Sequence, residues 1–75
     1  MPFIHYRSYS GKDLETKQKA AEAIVKAAAE VWGAPVSAFT VVFEDIDREA
    51  WDAEVKDTVI EPLRDKIIME HGEIV

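Results

Sequence analysis

An alanine-rich segment from Leu14 to about Trp32 lies between two strand-like runs, and that order limits the available folds more than any other feature. Leu14, Ala21, Ile24, Val25, Ala28, Val31 and Trp32 fall on one helical stripe, while Lys12, Lys17, Lys19, Glu22, Lys26 and Glu30 mostly lie elsewhere. The spacing predicts an amphipathic helix. Asp13 can cap its start through a side-chain oxygen, and Gly33-Ala34-Pro35 stops it. Before it, Phe3 to Ser8 reads as a strand with Phe3, His5 and Arg7 on one side and Ile4, Tyr6 and Ser8 on the other. After it, Phe39 to Ile46 is dense in β-branched and aromatic residues. Strand, helix and strand joined in this order imply a right-handed crossover and a parallel pair. The second strand is apolar on both faces, so it needs cover on both, and one helix supplies only one. A second subunit could pair with an open strand edge and cover the remaining face.

Beyond Asp47, a possible cap, Trp51, Val55, Val59, Leu63 and Ile67 recur every four residues and predict a second helical segment. Pro62 would lose the amide bond to the Thr58 carbonyl and clash with it, so a kink or a break into two short helices is expected there. His71 and Gly72 read as the fraying helix end, followed by a tail, Glu73-Ile74-Val75. No linker, repeat or low-complexity run divides the sequence, and a single domain over 1–75 is expected.

Fifteen acidic residues against nine basic ones leave a net charge of -6, which argues against a nucleic-acid-binding surface. The absence of cysteine removes disulfides, thiolate catalysis and cysteine-ligated metal. His5 and His71 form no local metal motif, and no cofactor-binding signature is present. No stretch reads as a leader or a membrane span, so a cytoplasmic protein without a membrane partner is the expectation.

Several residues then combine into one pattern. Pro2 follows Met1, the first strand leads to Gly11-Lys12, Glu15-x-Lys17 opens the helix, Ala34-Pro35 precedes the second strand, and Trp51 follows it. From Pro2 to about Ile68 the chain resembles the 4-oxalocrotonate tautomerase family, in particular its small dimeric branch. The resemblance implies an α/β fold, a β-α-β subunit with parallel strands and a carboxy-terminal helix, assembled into a homo-oligomer. A dimer is favoured, with a hexamer as the alternative. It also implies a cofactor-independent tautomerase or isomerase acting on a small enolisable oxo acid or an arylpyruvate-like compound. Pro2 would be the general base and acid once Met1 is removed, because a free proline is a rigid secondary amine whose proton affinity can be set near ambient pH. With Met1 retained, the same nitrogen is an amide and cannot serve.

Within this resemblance, Lys12 stands where relatives carry a cation that holds the substrate carboxylate, and Trp51 matches an aromatic wall that desolvates the proline. Thr40 matches a position where relatives often supply an arginine from a neighbouring subunit. Threonine can donate a hydrogen bond but cannot neutralise a carboxylate, which argues against the namesake dicarboxylate substrate. Arg7, Arg48 and Arg64 are candidate replacements for that cation, and Tyr6 and Tyr9 are candidate donors to an enolate oxygen. The alternatives are a non-catalytic homo-oligomer or small-ligand-binding protein, and a related proline-dependent hydratase, dehalogenase or decarboxylase.

Overall fold

Phe3–Tyr9 forms β1, Leu14–Trp32 forms α1 and Thr40–Ile46 forms β2 in the computed structural model, which describes residues 1–75. The first strand therefore runs one residue past Ser8. The second starts at Thr40, because Val36–Ala38 coil into a short 3-10 turn that Phe39 closes by donating its N–H to the Val36 carbonyl. β1 and β2 make a parallel two-stranded sheet. The cross-strand partners advance together: Pro2 meets Thr40 through a backbone hydrogen bond, Tyr6 stacks on Phe43, and Arg7 reaches Glu44.

Local chemistry explains where α1 begins and ends. Asp13 is extended, and its carboxylate accepts the Thr16 N–H at 2.8 Å, satisfying an amide that the first turn leaves unpaired. Gly33 takes a left-handed φ of 75° and donates to the Ala29 carbonyl, which also accepts from Ala34. A side chain at Gly33 would resist that φ, so glycine fixes the point of reversal. α1 borders one sheet face, where Ala21 shares a hollow with Val41 and Phe43, and Ala28 shares another with Ile4 and Phe39. Lys17 binds Asp45 at 2.6 Å across the same face. On the other face, His5 and Arg7 donate to one oxygen of Glu44 at 2.8 and 2.9 Å.

The residues group into two compact units, Met1–Asp45 and Ile46–Val75. In the second, a 3-10 turn over Arg48–Ala50 leads into a π-helical segment, Asp52–Ile60, and a 3-10 segment, Glu61–Lys66. The segment expected from the four-residue spacing is helical, but it is wound with wider and then tighter turns. The Glu61 N–H reaches the Lys56 carbonyl, and the Thr58 hydroxyl donates to the Ala53 carbonyl. Pro62 sits in the first turn of the tighter segment, where an absent N–H is tolerated, so the helix changes winding at the expected break.

The carboxy terminus corrects the expectation of a frayed tail. Met69–Glu70 forms β3 and Glu73–Ile74 forms β4, paired antiparallel with Met69 opposite Ile74 and Glu70 opposite Glu73. His71 and Gly72 have φ values of 55° and 80°, as a two-residue turn with both central residues left-handed requires. The facing glutamates would repel, and Arg64 offsets this by holding both oxygens of Glu70 at 2.8 and 2.7 Å.

Candidate active site

The crossover dictates what meets Pro2. β1 runs away from Pro2, α1 returns antiparallel to it, and β2 begins beside Pro2, so the end of the helix and the start of both strands share one end of the unit. The Pro2 carbonyl accepts the Thr40 N–H at 3.1 Å, which ties the Pro2 backbone to the start of β2. Pro2 is half-buried, whereas Met1 is fully exposed. Met1, Pro2, Trp32, Ala34 and Ala38 line a shallow hollow of about 380 Å³. A second, of about 390 Å³, is bounded by Pro2, Phe3, Ile4, Ala28, Trp32 and Phe39. Removal of Met1 would free the Pro2 nitrogen beside the hollow that Met1 itself helps line. No charged side chain borders either hollow.

Lys12 lies beyond the far end of β1. It lines a separate hollow of about 270 Å³ with Tyr6, Tyr9, Lys17 and Phe43. Seven strand residues separate the two ends, a span on the order of 20 Å at the usual rise per residue. A small oxo acid cannot bridge that distance, so one subunit brings Pro2 and Thr40 together and leaves Lys12 apart. Tyr6 and Tyr9, the candidate enolate donors, belong to the Lys12 end.

Trp51 is half-buried where the Arg48–Ala50 turn passes into the π-helical segment of the second unit. Among the candidate replacement cations, Arg7 is engaged by Glu44, and Arg64 by Glu61 and Glu70. Glu61 and Glu70 hold the Arg64 guanidinium even more firmly protonated than usual. Glu44 is in turn held below the ordinary glutamate range, first by its bond to His5 and then by that to Arg7. These ion pairs are exposed and mainly orient their side chains.

Sequence reasoning assigned Trp32 to the apolar helix stripe and missed its place beside Pro2. The signal was available: in a β-α-β crossover, the last helical turn returns to the start of the first strand.

No helix is long and apolar enough to cross a membrane. No curated protein and no solved structure matches the chain. The family model described as tautomerase enzyme matches residues 2–60, which takes in both parallel strands, the crossover helix and Pro2. This membership supports tautomerase or isomerase activity in general terms. By fold and by the extent of that match, the chain belongs to the tautomerase enzyme family.

Proposed function

We propose that the chain is a cofactor-independent keto-enol tautomerase for a small enolisable oxo acid or an arylpyruvate-like compound, with Pro2 as general base and acid after Met1 removal. One observation carries this reading: Pro2 is tied to Thr40 through its carbonyl and borders an open, uncharged hollow. An apolar surrounding disfavours the ammonium form, which keeps neutral amine available at ambient pH. In ketonisation, the amine takes the enol hydroxyl proton while the ammonium form returns a proton to carbon. Protons and electrons balance without a redox partner.

The remaining assignments follow from this reading. Lys12 is too far along β1 to hold a carboxylate at the Pro2 of its own subunit, so its proposed role is toward a neighbouring copy. The Thr40 side chain supplies a hydrogen bond, and Trp51 an apolar wall. The working unit is a single domain over 1–75 that forms a homodimer in the cytoplasm, in the manner of the small dimeric branch. Support for association comes from the scarcity of buried residues: Val25, Ala29, Ile46 and Val55 alone are buried, while Phe3, Leu14, Val31, Ile68 and Ile74 stand exposed.

The test is ketonisation of phenylenolpyruvate by protein lacking Met1. Replacing Pro2 with alanine is expected to lower kcat/KM by roughly 100-fold or more, the usual contribution of a positioned acid-base group. An unchanged rate in Met1-free Pro2→Ala protein would remove the proposed base.

A further inference from the structure

We infer that Trp32 is a specificity-determining residue of the Pro2 site, forming an apolar wall in the same subunit that receives the aryl ring of an arylenol acid. The inference rests on the reading of Pro2 as the base and deepens it by assigning the substrate's non-reacting end. Pro2 and Trp32 are the two residues common to both hollows, so the indole stands as the ridge between them. One side of the ridge is floored by Ala34 and Ala38, whose small side chains leave room for a ring. The other is bounded by Ile4, Ala28 and Phe39. With no cation in either wall, a second carboxylate finds no partner beside Pro2, whereas an aromatic ring gains offset or edge-on contact with the indole.

The backbone that carries the indole is fixed by the chain. Trp32 is the last residue of α1, and the left-handed Gly33 with the two hydrogen bonds to Ala29 fixes the backbone just beyond it. Its side of the site remains open in the subunit: Trp32 is 75% exposed despite its size. An exposed ring on a fixed backbone beside the proposed base can meet a ligand without a movement of the main chain.

The experiment compares kcat and KM for phenylenolpyruvate and for the enol of 2-oxobutanoate in Met1-free protein. Trp32→Ala is expected to lower kcat/KM for the aryl substrate roughly 10-fold, chiefly through KM, with under about 3-fold change for the alkyl one. Trp32→Phe should restore most of the loss. Ala38→Phe, which fills the hollow while leaving Trp32 itself unchanged, should show the same aryl-selective penalty. Binding of phenylpyruvate, followed as the part of the tryptophan quenching that is lost in Trp32→Phe protein, is a readout that does not require turnover. It separates the two ideas: loss of the Pro2 role leaves this quenching and its sensitivity to Ala38→Phe intact. Equal losses on both substrates, with or without a change of oligomeric state, would overturn the inference. So would unchanged aryl kinetics in Trp32→Ala, or absence of quenching.

Discussion

Thr40 illustrates how one position can carry a structural and a chemical role through different atoms. Its N–H anchors Pro2, and its side chain is proposed to offer the substrate a hydrogen bond. Thr40→Arg keeps the backbone bond and adds a cation, so kcat/KM for an enol dicarboxylate should rise about 10-fold or more relative to phenylenolpyruvate, read from paired kinetics. No gain would mean that this side chain does not face the substrate. Lys12→Ala should raise KM for carboxylate substrates by about 10-fold, with recovery in Lys12→Arg. Glu44 supplies a pH-dependent outcome. Its depressed protonation means that the contribution of the His5 and Arg7 contacts is present above the ordinary carboxylate range and lost as pH falls through the depressed value. A carboxyl NMR titration should show Glu44 protonating below the unpaired glutamates, and Arg7→Ala should move it upward. Coincidence with the other glutamates would contradict the geometry. At this scale Pro2, Lys12, Thr40 and Trp51 were legible as candidates only through the resemblance to a family pattern. The backbone contact between Pro2 and Thr40 was not, since it depends on strand register.

At the scale of elements, the crossover was readable because its signals agree: the periodic stripe of α1, the Asp13 cap, the Gly33 stop, and β-branched residues in β2. The second unit was less so. The recurrence from Trp51 to Ile67 announces helix, but a four-residue spacing cannot distinguish regular α winding from the wider and tighter turns adopted around Thr58 and Pro62. The terminal hairpin was concealed by brevity, since two-residue strands show no alternation and His71-Gly72 reads equally as a helix end. Gly72→Val should therefore destabilise the hairpin, because a β-branched residue resists a φ of 80°. Faster amide exchange at Val75, whose N–H bonds the Ile68 carbonyl, would report it. Ile46, 5% exposed at the end of β2, is a direct test of the core. Its replacement by alanine should cost roughly 2–5 kcal/mol in denaturant unfolding.

For the whole molecule, seventy-five residues with four buried side chains leave too little enclosed surface for a robust solitary subunit. Sedimentation at micromolar concentration should give twice the subunit mass, and a stable monomer would contradict the proposed dimer. Association also bears on chemistry, because Lys12 can approach a Pro2 only if another copy supplies one. The sequence pointed to this dependence through the two-sided hydrophobicity of Phe39 to Ile46, although it could not show which residues a single subunit already unites. The central claim, a free Pro2 amine as the base, is tested most directly by intact-mass analysis and phenylenolpyruvate kinetics on the same samples. The account predicts that activity scales with the fraction of chains lacking Met1 and vanishes in fully Met1-retaining protein. Equal activity in the two forms would contradict it.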